Sequence, residues 1–418
     1  MKMRKKIEGI NRVSSGCILN HRQGHGQSHE SGHSIIRSLG IGLSVSLVFA
    51  LCPIETLAGS PEFAYSADKW SSLRDDTLEY GEIGDLIHEY NHTVLQNQID
   101  YEEYRGETRD EISDDYYDAA DEIEGNLYYP DADDSNYSSS ISSYLNGQIQ
   151  ANDLREQGDD NVDDGDSKKL AYDQTEAKLV KEAQELLITY WSQTWSLQSL
   201  EKAEEQAEAA YTTALAKREA GTVTQAEVLS AQEAVTSAKA AYSSAVSSQT
   251  QTRDSLCLML GWTYGSEVDL GEVPEPDMEA IGAIQLAGDV EAGVNANYEL
   301  KILERKIENA SSTTNKDSLK QEYQSQKETA ASGIKNAYET LLLSKEDYDQ
   351  AVQADEVETQ GLETAARKLA AGTITQKDYD KQQAASVTSS VAVQTQKLEL
   401  VKAQLEYQWA VNGLAAVS

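Results

Sequence analysis

Residues Leu86 to His92 read LIHEYNH and contain His88-Glu89-x-x-His92. On an unbroken helix, residues four apart lie one above the other, so two imidazoles could share a zinc ion while the glutamate activates its water. That would be metalloprotease chemistry, and it needs a third protein ligand and an open coordination position. Glu111 and Asp115 follow at a distance suited to a third ligand. A carboxylate within reach says little here, however, because residues 101–167 hold 21 Asp and Glu against three Arg. A second candidate is DDNVDDGD, Asp159 to Asp166, which has the look of a calcium loop. Its glycine falls one place too far along and the terminal glutamate is missing, so a solvated acidic linker is the plainer reading.

The elements that would have to position such residues are poor builders of a thick core. In 418 residues there are two Phe and five Pro, and the mean hydropathy is −0.56. Ala, Gln, Glu, Ser and Thr dominate the second half. That composition suits long helices meeting along narrow seams better than a globule with a cleft. The 22 Tyr fit half-buried seams, where a ring packs and a hydroxyl stays wet.

Residues 1–58 read as an export leader, with Lys2, Arg4, Lys5 and Lys6 in front, the apolar run Leu39 to Leu51, and a small residue at Ala58 where cleavage is expected. Cys52 follows a bulky Leu51, which argues against lipidation. His21, His25, His29 and His33 recur every four residues, but the glycines among them argue against a helical metal site. Without the leader the chain carries 28 basic and 68 acidic residues, a net charge of −40, which excludes nucleic acid as a partner. Cys257 is then the only cysteine, so no intramolecular disulfide can form.

The most informative feature is an internal repeat. EAGTVTQAEVLSAQEAV, Glu219 to Val235, aligns without a gap with AAGTITQKDYDKQQAAS, Ala370 to Ser386, at an offset of 151 residues. Gly221 falls on Gly372, Thr222 on Thr373, Thr224 on Thr375, and Glu227 on Asp378. Each copy lies between long stretches with helical periodicity, about 170–220 and 225–260 in the first and about 317–370 and 376–411 in the second. The glycine can close one helix in the left-handed conformation. The second threonine can then cap the next helix, with the acid three residues on as its reciprocal partner. Each joint therefore reads as the tip of an antiparallel hairpin. Shorter opening helices precede them at about 68–100 and 291–310, carrying Asn91-x-x-Val94 and Asn297-x-x-Leu300. The expected organisation is a leader (1–58), an opening helix (68–100), an acidic and partly disordered insertion (101–167), a first hairpin (170–262), a linker (263–290), and a second opening helix and hairpin (291–418). The fold class is all-α, two repeats of long antiparallel coiled-coil hairpins with little or no strand.

The paired stretches AEAAYTTALAKREAGTVTQAEVLSAQEAV and LETAARKLAAGTITQKDYDKQQAA, with LCLMLGW and LEYQWAVNGL closing the two halves, resemble the TolC family of outer-membrane efflux proteins. The resemblance covers about residues 68–100 and 170–418, with Asn91-His92-Thr93-Val94 and Asn297-Tyr298-Glu299-Leu300 similar to that family's Asn-Pro-x-Leu. It implies a homotrimer whose six hairpins form a helical tunnel. The tips, Gly221, Thr222, Gly372 and Thr373, would dock onto a membrane-fusion adaptor and an ABC or proton-driven pump. Glu227 and Asp378 would lie just inside the tunnel's closing end. It implies no enzyme activity, no cofactor and a place in the cell envelope, at an outer membrane or on the wall side. Two departures stand out: Leu369 and Ile374 occupy the places of a Tyr and Arg gate, and no stretch resembles the nine to eleven alternating residues of a barrel strand. Two rival readings remain, a structural coiled-coil protein of the envelope and the zinc protease of His88, Glu89 and His92.

Overall fold

The computed structural model of the chain describes residues 65–73, 75–133 and 136–417. The expected leader, with its basic front, histidines and cysteines, lies outside the described residues. The chain divides into two units, residues 1–74 and 75–418. In the first, helix α1 (Ala67–Ser72) is capped by Ser66, whose hydroxyl accepts from the Lys69 amide at 3.3 Å.

In the second unit the backbone runs through β1 (Thr77–Leu78), a short 3-10 turn (Tyr80–Glu82), α2 (Ile83–Tyr90), α3 (His92–Tyr104), α4 (Arg109–Gly125), α5 (Tyr137–Asp160), α6 (Gly165–Glu219) and α7 (Gln225–Met259). The second half follows with β2 (Asp269–Leu270), α8 (Met278–Ala283), α9 (Leu286–Ala296), α10 (Tyr298–Asn309), α11 (Thr313–Ala370) and α12 (Gln376–Trp409). The two strands pair in parallel over two residues, Thr77 with Asp269 and Leu78 with Leu270. The chain is thus all-α in class, two long hairpins, α6–α7 and α11–α12, in tandem.

In each hairpin the outgoing helix is much longer than the returning one, 55 residues against 35 in the first and 58 against 34 in the second. The opening helix of the same repeat makes up the difference, α3 packing beside α6 and α10 beside α11. An asparagine makes each junction. Asn91 accepts from the Thr93 and Val94 amides through Oδ1, capping α3, and donates from Nδ2 to the carbonyl of Met259, the last residue of α7, at 2.8 Å. Asn297 caps α10 through the Leu300 amide at 3.2 Å and donates to the Ala415 carbonyl, just beyond α12, at 2.9 Å. One amide thus satisfies an orphan donor at a helix N-terminus and an orphan acceptor at the end of another chain segment. Both side chains are buried, at 7% and 1% exposure, where an unmade hydrogen bond is costly. A glycine with positive φ sits at each junction: a Cβ on Gly261 (φ 92°) would collide with Tyr90, and one on Gly413 (φ 109°) would come within 2.6 Å of the Ala296 carbonyl oxygen.

The core lies around these junctions and the helices beside them. Ile334, Leu341, Leu400 and Tyr407 form one cluster with Val294 and Leu300; Ile188, Leu398, Val401 and Leu405 form another between α6 and α12. Each fully buried Leu or Ile contributes about 1.5–3 kcal/mol relative to exposure. Toward the tips the core runs out. Beyond Ile188, α6 buries nothing, and on the tip side of Leu256 only Val228 of α7 is buried. The seams there are polar: Gln249 donates to Thr194 at 2.6 Å, Ser389 to Asp355 at 2.6 Å, and Gln382 to Glu358 at 2.7 Å.

Most of residues 101–167, the acidic insertion, form the helical pair α4–α5. Composition foretold repulsion, but the few cations are well placed. Arg155 bridges Asp121 at 2.8 Å and Glu124 at 2.5 Å, and Arg109 donates to the carbonyls of Asn161 and Asp159. Thr108 and Glu111 form a reciprocal cap, while Gly147 and Gly158 let Leu127 and Tyr117 pack against α5. The first arm likewise begins at Gly165 rather than near 170.

Replacing Asn91 or Asn297 with Ala removes a cap and strands a buried carbonyl, so each should lose about 2–4 kcal/mol of stability. Asn→Asp, which keeps the capping oxygen and loses the donor, should also destabilise. Urea denaturation measures this, and an Asp variant as stable as the wild type would rule out the donor's part.

Candidate functional site

The two tips are built alike, atom for atom. At the end of α6, the Gly221 amide donates to Arg218 O and the Thr222 amide to Lys217 O, both at 2.9 Å. At the end of α11, Gly372 donates to Leu369 O and Thr373 to Lys368 O, again both at 2.9 Å. This 6→1 and 5→2 pairing needs a left-handed residue, and Gly221 and Gly372 have φ of 72° and 68°. Thr222 Oγ1 and Thr373 Oγ1 then donate to the same Lys217 and Lys368 carbonyls at 2.9 Å. The sequence pattern revealed the glycines and the caps, and the extra role of these hydroxyls was not legible in it.

The next helices start with the expected reciprocal caps. Thr224 N donates to Glu227 Oε2 at 2.6 Å while Glu227 N donates to Thr224 Oγ1 at 3.3 Å; Thr375 and Asp378 do the same at 3.1 and 3.2 Å. Hydrogen bonds from the Thr224 backbone and hydroxyl hold the Glu227 carboxyl below its usual range, and the Thr375 hydroxyl and backbone do so for Asp378. Both acids are therefore anionic and fixed at a helix N-terminus, where negative charge is favoured. Lys217, Arg218, Arg367 and Lys368 lie in the last turns of the outgoing helices, so both tips carry basic side chains as well as the capping acid. Gly221, Thr222, Gly372 and Thr373 are all exposed.

The zinc reading fails on geometry. Asn91 has ψ of 124°, so α2 ends at Tyr90 and α3 begins at His92. His88 and His92 lie on different helices, and the one-face relation that zinc ligation by this spacing requires is lost. His88 Nδ1 instead donates to Glu176 Oε1 of α6 at 2.9 Å, while His92 is exposed. The calcium-loop candidate has also been put to another use. Asp164 caps α6 through the Ser167 amide at 2.8 Å and accepts from Arg305 Nε at 2.6 Å and Asn309 Nδ2 at 2.8 Å. Burial pushes the neighbouring Asp163 up, but Lys168 and Lys306 outweigh it and keep the carboxyl low. The stretch thus fastens the start of the first hairpin to α10 of the second repeat, a tie between residues 141 apart in sequence that no local pattern announces.

A methyl group on Gly221 or Gly372 would meet nothing within 4 Å, so alanine should cost only the left-handed strain, about 1 kcal/mol each by chemical denaturation. A much larger loss would mean that the tips pack against something. The hydrogen bond that His88 donates to Glu176, assisted by the charges of Glu176, Glu89 and Asp85, raises the His88 pKa above 6.5 despite its burial. A raised folded-state value stabilises fully below the unfolded pKa and fades as pH rises through the folded one. The stability difference between wild type and His88→Gln should therefore be largest below about pH 6.5 and shrink above it; a difference that grows with pH would contradict the pairing.

No family model matches the sequence, and no curated protein matches it. Solved structures do. The outer-membrane channel OprN is 10% identical over 84% of this chain and 93% of its own, with a TM-score of 0.52. A membrane protein from Pseudomonas aeruginosa is 12% identical over 79% of this chain and 93% of its own, with a TM-score of 0.50. At such identities the likeness is one of fold. Two tandem hairpins with opening helices stacked on their ends, and no barrel strands among the described residues, give this chain the helical fold of the TolC-type outer-membrane channels.

Proposed function

We propose that this chain is the passive conduit of an export system of the cell envelope, working as a homotrimer. Its tips, Gly221, Thr222, Gly372 and Thr373, dock onto a membrane-fusion adaptor, with Glu227 and Asp378 just inside the closing end of the tunnel. An ABC or proton-driven pump supplies the energy, so the conduit needs neither a catalytic residue nor a cofactor. One observation supports this above the rest. Each repeat carries the same rigid, exposed tip at the end of an arm that its own chain leaves largely uncovered.

Leu229 is 53%, Leu343 61% and Val357 67% exposed along those arms, apolar positions that neighbouring copies would cover. The matching tips then recur in a ring, which suits repeated contacts with an adaptor assembled around the same axis. The net charge of −40 without the leader would make a lumen lined by these helices favour cations over anions. Export of the chain through its leader is part of the same reading.

Mass measurement in solution should give three copies per particle, and a stable monomer would sink the tunnel. Pull-down from envelope membranes should recover an adaptor with the wild type and lose most of it when Gly221 and Gly372 are both replaced by bulky residues. Equal recovery would show that the tips are not the docking surface.

A further inference from the structure

The long helices of the second unit lie in a row. Along the arms α7 packs on α6, α6 on α12, and α12 on α11; below the junctions α3 packs on α6, α6 on α10, and α10 on α11. Because α3 meets the end of α7 through Asn91, and α10 meets the chain leaving α12 through Asn297, the order is the same throughout. One edge of the row is α7 with α3, the other is α11, and the two edges do not pack on each other.

The exposed apolar side chains follow this division. Among the described residues of these helices, every exposed large apolar side chain lies on α3, α7 or α11, with Ile99 64%, Leu229 53% and Val357 67% exposed, and none lies on the inner helices α6, α10 and α12. Leu95 and Ile99 stand one turn apart on α3, so the apolar edge extends below the junction. Edges that keep such side chains in the open, around inner helices that keep none, are faces for another chain.

Charge decides which chain and which edge. Helix α3 carries Asp100, Glu102 and Glu103 and no Lys or Arg, and it leads into the acidic α4–α5 pair. Two such edges brought together would set acid against acid, which opposes binding. The first 25 residues of α11, 313–337, hold four Lys against three acids, and Lys320, Lys327 and Lys335 are exposed there. In a ring the tips share one level, so counting down the 35 residues of α7 and on into α3 sets Ile99 level with roughly residues 324–331 of α11.

We propose that α3 of one copy seats the first part of α11 of the next copy. The methylene stem of Lys327 lies over Ile99, and its ammonium, with that of Lys320, reaches Glu102 and Glu103. The partners these groups have within their own chain are local and at the surface: Lys327 stands 5.9 Å from the centre of the Tyr323 ring, Lys320 lies 3.7 Å from Asp317, and Glu102 lies 3.2 Å from Arg105. Such contacts are weak and yield readily to a closer one. The contact joins unlike edges, so it runs head to tail and can close as a ring. The acidic side of the first repeat then has a task, which is to keep like edges apart. The inference rests on the trimer reading above, and the test separates the two.

Light scattering of the full chain counts the copies, and oxidative cross-linking of introduced cysteines reads the edges, with the wild type, whose Cys257 is buried, as control. Ile99→Cys is combined in turn with Gln324→Cys, Lys327→Cys and Glu328→Cys, to cover one turn of register. At least one pair should convert the chain into a covalent trimer that reductant releases, while each single variant stays monomeric on a denaturing gel. A covalent dimer as the main product of Ile99→Cys alone would show that like edges meet and overturns the inference. A trimer in solution that no pair links overturns the inference and leaves the trimer reading standing. A monomer in solution overturns both, and a ladder running past three copies upholds the edge contact while overturning the closed ring.

Discussion

An asparagine side chain carries a donor and an acceptor on one short planar group, and this fold depends on that fact twice. A helix that stops inside a protein leaves carbonyls unmet at its end, and a helix that starts there leaves amides unmet. Asn91 answers both needs where α7 stops and α3 starts, and Asn297 caps the start of α10 while taking up the Ala415 carbonyl past the end of α12. At Asn91 the dipoles agree as well, since the negative end of α7 meets the positive end of α3. Without these junctions the outgoing arms, at 55 and 58 residues, would run on with no partner beside their first turns.

What was legible in the sequence was what is local. The tips could be read from four residues each, because Gly with φ near 70° and Thr-x-x-Glu or Thr-x-x-Asp act through bonds no more than five residues apart. The junctions could be seen only as a recurring Asn-x-x-Val/Leu, since the bonds that give them meaning reach 168 and 118 residues along the chain. The zinc spacing misled because it assumes the helix is continuous, and the junction breaks the helix between its two histidines. In residues 101–167 composition shows an acidic segment but not its partners, and the order there depends on where two arginines, Arg109 and Arg155, and two glycines fall rather than on how many acids surround them.

The two repeats share their tips and junctions and differ in what lies between the opening helix and the first long arm. In the second repeat, α10 passes to α11 through three residues, Ala310 to Ser312. In the first, the α4–α5 pair fills that place, anchored at its base by Arg109 and Asn161 and fastened through Asp164 to Arg305 of the other repeat. The fold thus keeps its repeated parts strict where tips and helix ends are formed, and tolerates an acidic helical insertion where the chain only has to turn round.

Tip and junction are each closed by bonds confined to that end of the hairpin, and between them run polar seams with few buried anchors. Whole heptads could be added to both arms of a hairpin, or removed from them, without touching a bond at either end. The reach of the hairpins is therefore a dimension the fold leaves open, to be matched to the distance between whatever lies at the two ends, provided both repeats change in step.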